Sequence, residues 1–169
     1  WWFNPRFTTG IVIAGLPVEE ILFFISVPFA CLFVWEVFFA SHRQPIMFTY
    51  HIPEILTAAS LLAGGLFLLM GHSYTGIVWL AFGSVLGLDQ ILQIRLLQER
   101  QTYYYLGIVT LFILIFNGYL TARPLVLYDE SYLLGLRIFT IPVEDFIYGY
   151  ALILFSVILY EKFRRGRHG

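Results

Sequence analysis

Cysteine and charge are both scarce in this chain, and each shortage removes whole classes of function. A single cysteine, Cys31, in 169 residues excludes an internal disulfide and any multi-cysteine metal site. Lying inside an apolar run, it reads as a packing residue. Charged residues make up 12% of the chain, about half the share of an ordinary soluble domain. The basic ones crowd the C-terminus at Lys162, Arg164, Arg165 and Arg167, a membrane-surface anchor rather than a nucleic-acid patch. Also missing are a GxGxxG after a strand, a P-loop and an HExxH, so no metal and no cofactor is expected.

What is present is apolar. Hydrophobic residues reach 59% and aromatic residues 19%, and the mean hydropathy is +0.79. This predicts an all-α, polytopic membrane bundle forming a single domain over residues 1–169. Five runs are long enough to cross about 30 Å of hydrocarbon: Pro17 to Ala40, Ile55 to Met70, Gly76 to Leu97, Tyr104 to Leu120 and Pro142 to Tyr160. If they alternate, Arg43, Arg95, Arg100 and the four C-terminal cations share one side, while Arg6, Arg123 and Arg137 take the other. The excess predicts a cytoplasmic C-terminus. The small residues Ala59, Ala63, Gly64, Gly83 and Gly87 suit close helix packing.

One phrase occurs twice. Pro17-Val18-Glu19-Glu20 is followed 125 positions later by Pro142-Val143-Glu144-Asp145, and at the same offset Phe7 matches Tyr132, Gly10 matches Gly135, Ile13 matches Ile138 and Trp35-Glu36 matches Tyr160-Glu161. This reads as an internal duplication relating segments 4–36 and 129–161. A further span precedes the second copy but not the first, and the chain opens Trp1-Trp2 without Met, so at least one N-terminal helix is expected beyond it. The apolar stretch from Ile11 to Ala40 is too long for one untilted helix and should break near Gly15-Leu16-Pro17. Pro17 and Pro142 then start their helices, leaving the acids in the first turn and a half.

Carboxylates inside apolar segments are expensive and therefore candidates for function. Glu19, Glu20, Glu144 and Asp145 are the candidate catalytic acids; close together they cannot all stay charged, and such a set divides into proton donor and acceptor. Helix capping is the competing reading of each acid. With the first and fifth spans parallel, both pairs meet near the non-cytoplasmic surface. Asn117, Asn4, His72 and Arg137 lie on that side. The first three could orient a carboxyl, although Asn117-Gly118 could equally stop a helix and a lone loop histidine usually does nothing; Arg137 could pair with Asp129, Glu130 or a motif acid. On the opposite side, Asp89, Gln90, Gln93, Glu36 and Glu161 read as interfacial pairing. Phe24 stands where intramembrane prenyl-protein proteases of the EExxxR kind need arginine.

The repeated Pro-Val-Glu-[Glu/Asp] phrases, with Phe3-Asn4-Pro5-Arg6 before the first and Gly135-Leu136-Arg137-Ile138-Phe139 before the second, resemble the small, membrane-embedded lycopene cyclase domain in its fused form. The resemblance covers nearly the whole chain. It implies cyclisation of the ψ-ends of lycopene to ionone rings, β-rings foremost, by an isomerisation of the intramolecular-lyase type. Glu19, Glu20, Glu144 and Asp145 would be the acids, with donor and acceptor unassigned. It implies a carotenoid substrate, the lipid bilayer of a bacterial or archaeal cell membrane, other carotenoid-pathway enzymes as candidate partners, and no nucleic acid. Two first-turn sites on packed helices lie only about 8–10 Å apart, so both ends of so long a substrate cannot react together, and one composite site is expected. The alternatives are a cyclase of C50 carotenoids or of another ring type, a proton-coupled transporter, and a non-catalytic membrane subunit.

Overall fold

A computed structural model describes residues 2–39, 51–123 and 125–166. Arg43, Arg167 and the predicted end of the first span at Ala40 lie outside the described residues. Five long helices form an all-α membrane bundle: α1 (Val18–Phe38), α2 (Ile52–Leu69), α3 (Ser73–Ile91), α4 (Arg100–Ala122) and α5 (Val143–Gly166). Among the described residues α1, α2, α4 and α5 are long and apolar enough to cross a membrane. The 19-residue α3 packs along both α2 and α5.

Three pairs of two-residue strands complete the architecture. β1 (Trp2–Phe3) pairs antiparallel with β4 (Val126–Leu127), β2 (Val12–Ile13) with β3 (Leu16–Pro17), and β5 (Arg137–Ile138) with β6 (Ile141–Pro142). The break expected near Gly15-Leu16-Pro17 is thus a tight hairpin, with Ala14 and Gly15 at φ of 52° and 85°. Its register, Val12 opposite Pro17, recurs as Arg137 opposite Pro142, with Phe139 at φ 57°. Asn4 and Asp129 each cap a short 3₁₀ turn by accepting a hydrogen bond from the backbone N–H two residues on. The prolines close these hairpins, and helix begins one residue later, at Val18 and Val143. Proline lacks an N–H, so it ends a strand edge and precedes a first helical turn without losing a bond.

Other predicted ends also shift. The third helix stops at Ile91 instead of reaching Leu97, because Gln93 and Arg95 turn left-handed, at φ of 55° and 61°, and the Asp89 carboxylate accepts from Leu96 N at 3.0 Å. Asn117-Gly118 does not end a helix: α4 continues to Ala122. The second helix begins at Ile52, with Pro53 in its first turn.

Helices α1 and α5 run parallel, since contacts between them ascend together in number. The Phe24 and Tyr148 rings meet edge to face at 6.4 Å, and Trp35 Nε1 donates to Glu161 Oε1 at 2.8 Å. Both motifs therefore lie at one end of the bundle. Toward the other end Trp35 packs on Tyr105 at 5.1 Å and the Tyr105 hydroxyl donates to Cys31 O at 3.0 Å. Glu161, fully buried there, also accepts from Arg164 at 3.2 Å, and Arg164 lies 3.7 Å from Glu36. Glu36 and Glu161 thus pair locally, as did their sequence reading.

Between α2 and α3 the backbones nearly touch. A Cβ at Gly76 would stand 2.6 Å from Leu68 Cγ and 2.9 Å from Gly64 O, whereas one at Gly65 would meet nothing within 4 Å. Overpacking of this kind typically costs about 1–3 kcal/mol, and here backbone must move. Gly76→Val is therefore expected to lower the thermal unfolding midpoint of the lipid-embedded protein, with Gly65→Ala neutral or slightly stabilising. Equal midpoints for both variants would contradict this packing.

Candidate functional site

Each motif delivers its two acids to different places, because adjacent residues on a helix project about 100° apart. The first acid of each pair turns back toward the chain that precedes its hairpin. Glu19 Oε1 accepts from the Thr9 N–H at 2.6 Å, and Glu144 Oε1 accepts from the Leu134 N–H at 2.8 Å. Thr9 and Leu134 are themselves 125 positions apart. Glu144 receives a second bond, from Thr75 Oγ1 on α3 at 2.6 Å, and is only 1% exposed.

The second acids face inward. Glu20 (8% exposed) and Asp145 (5% exposed) both line one cavity of about 120 Å³ between α1, α4 and α5. Its walls are aliphatic and aromatic, with Phe23, Phe24, Phe112, Phe116 and Tyr148 prominent. Two carboxyls on a shared apolar cavity can divide into proton donor and acceptor, and the ring faces can stabilise a passing cation.

Asp145 is held by phenols. Tyr128 Oη donates to its Oδ2 at 2.5 Å, and Tyr74 Oη lies 3.4 Å from its Oδ1. Tyr128 follows β4, whose pairing with β1 draws the N-terminal segment against the loop before α5. The residue 125 positions before Tyr128 is Phe3, which also lines the cavity but has no hydroxyl to offer Glu20. Burial first, and then the charge on Asp145, hold the Tyr128 phenol far above its usual pKa, so it stays a proton donor.

The remaining candidates spread out. Asn117 lines the same cavity, as does Thr121 one turn on. Asn4 caps its 3₁₀ turn, and its backbone N–H bonds Leu125 O at 2.9 Å. Arg137 pairs with Glu130 at 3.1 Å and Thr140 O at 2.8 Å, and its guanidinium stacks 5.9 Å from the Tyr128 ring centre. Of the partners open to it from sequence, Arg137 takes Glu130, and it reaches the motif through Tyr128. His72 is the residue before α3. Tyr74, Thr75 and Tyr128 escaped the sequence reading. Tyr128 had a signal, as the aromatic position matching Phe3; Tyr74 and Thr75 belong to α3, for which the first copy of the motif has no counterpart in the described chain.

The family model described as lycopene cyclase matches residues 1–38 and 71–163, which takes in both motifs, the cavity and every helix except α2. No curated protein and no solved structure gives a significant match.

Proposed function

Because the chain belongs to the lycopene cyclase family, we propose that it closes the ψ-ends of lycopene to β-ionone rings by acid/base chemistry at one site shared by α1 and α5. The observation that carries this reading is the convergence of Glu20 and Asp145, one from each motif, on a single aromatic-lined cavity. The Glu20 carboxyl gives its proton to the terminal double bond of the substrate and leaves a tertiary cation. The next double bond attacks that cation, the ring bond forms, and the positive charge moves into the ring. Asp145 then removes a ring proton, and the electron pair of that C–H bond becomes the new double bond. Substrate and product have the same atoms, so the reaction is of the intramolecular-lyase type and redox-neutral.

Hydrogen-bond chemistry supports this choice of donor and acceptor. A phenol O–H can only give to a carboxylate lone pair, so the two tyrosines around Asp145 suit an ionised acceptor. The position that matches Tyr128 in the first unit is Phe3, which lines the same cavity without a hydroxyl, and this difference supports Glu20 as the donor. Glu19 and Glu144 act as positioning residues that tie the preceding chain to the helix start. Asn117 orients a carboxyl or the polyene end from α4, while Asn4 and Arg137 hold the loops, Arg137 through Tyr128.

In this reading the described segments form one membrane domain around two related units, 4–36 and 129–161. The C-terminus is cytoplasmic, on the side of Arg95, Arg100, Lys162, Arg164 and Arg165. The test is pigment chromatography from a lycopene-accumulating bacterial host expressing the full coding sequence, with membrane insertion verified. Cyclic carotenoids support the reading, and unchanged lycopene beside well-inserted protein refutes it. One cavity shared by both motifs brings one end of a long polyene to the acids at a time. The monocyclic product is therefore expected to accumulate first and the dicyclic one after a lag in a time course; simultaneous appearance of both rings would count against a single composite site.

A further inference from the structure

A second cavity, of about 260 Å³, lies behind the site, lined by Ser73, Tyr74, Ile77, Asp129, Tyr132 and Leu133 together with Tyr128. Among the described residues the two cavities share Tyr74 and Tyr128, and the hydroxyls of both face Asp145. Its rim is in the loop before α5, where Asp129 and Tyr132 are exposed. Asp129 there is held below the usual carboxylate range by the Ser131 hydroxyl and N–H, so the mouth of this cavity carries a charge.

The chemistry proposed for the first cavity creates a need that this arrangement meets. Each ring closure leaves Glu20 ionised and Asp145 protonated, the reverse of the starting state. The pair is reset when a proton returns from Asp145 to Glu20, and an apolar cavity offers no water with which that proton can exchange on the way. We propose that the second cavity is the solvent port of the site, and that Tyr74 and Tyr128 relay protons between its water and Asp145. In this relay Asp145 passes its proton to a phenol oxygen as that phenol releases its own to water beyond it; the reverse hop brings a solvent proton in. No tyrosinate is formed. The proton then crosses from Asp145 to Glu20 once the product has left. Arg137, stacked on Tyr128, keeps that ring in the wall between the two cavities.

This inference rests on the cyclase reading, and isotope content separates the two. Cyclisation run in D₂O with protiated lycopene should place about one deuterium in each ring formed, however many turnovers have passed, because the relayed proton equilibrates with solvent before reuse. Without the port, the proton taken from one substrate is handed to the next. Deuterium per ring should then fall severalfold as turnovers accumulate. The Tyr74→Phe/Tyr128→Phe double variant is expected to show this fall, as is Ile77→Trp, which fills the port from an exposed position without touching either phenol. A merely structural role for the tyrosines would change the amount of product but not its deuterium content. Falling deuterium in the unmodified protein, or an undiminished content in both variants, would overturn the port. Absence of any ring product from the unmodified protein would overturn the cyclase reading, and the port with it.

Discussion

Asp145→Asn and Glu20→Gln should each reduce ring formation by about 10²–10⁴-fold, the usual contribution of a positioned general acid or base. Both replacements keep the shape of the side chain and remove only its ability to exchange a proton. The amide oxygen of the Asp145→Asn variant can still accept from Tyr128, so the 2.5 Å contact that anchors the loop survives. Loss of activity with unchanged insertion and unchanged melting would then belong to chemistry and not to folding. The measurement is product per unit of inserted protein in isolated membranes. Neither Glu19→Gln nor Glu144→Gln should approach this loss, because their carboxyls bond backbone outside the cavity. If Glu19→Gln were as inactive as Glu20→Gln, the division of labour within each motif would be wrong. If Asp145→Asn kept a tenth or more of the activity, Asp145 would not be the base.

The second large effect is on stability. Replacing Glu144 with Ala removes the acceptor of both Thr75 Oγ1 and Leu134 N, at 2.6 and 2.8 Å, from a site only 1% exposed. A buried donor such as Thr75 Oγ1 left unsatisfied costs about 1–3 kcal/mol and the part-buried Leu134 amide less, so a loss of roughly 2–4 kcal/mol is expected, allowing for partial rearrangement. Hydrogen exchange at the Leu134 amide reads this directly: protection should drop by about 30- to 700-fold at about 1.4 kcal/mol per decade. Thr75→Val should reproduce part of the effect, since it removes the α3 donor and leaves Leu134 bonded. The matching Glu19→Ala should be milder, because Glu19 is more exposed and bonds one backbone amide, Thr9. Equal loss of protection at Thr9 and Leu134 in the two variants would show that α3 adds nothing to the second unit.

Much of this site was legible in the chain. The paired phrases at Pro17 and Pro142 pointed to two acid pairs, and the parallel course of the first and fifth spans set both pairs at one end. The helix ends were less legible where local geometry overrode composition. Gln93 and Arg95 look no different from helix residues in an amphipathic pattern, yet left-handed backbone and the Asp89 cap end α3 before them. The hairpins were read only as a break, because a two-residue strand has too few positions to display an alternating pattern.

Sequence by itself determined the membrane class and the acid positions, since both follow from local composition and from an offset that can be counted. Only tertiary structure decided where each acid of a pair points. Glu19 and Glu20 are chemically identical and adjacent; a rotation of about 100° sends one to the Thr9 amide and the other to the cavity. Likewise, Asp145 becomes distinct from Glu20 through Tyr74 and Tyr128, which stand 71 and 17 residues away in the chain. Such partners leave no periodic trace, because a hydrogen bond depends on where two side chains end in space and not on their spacing in sequence.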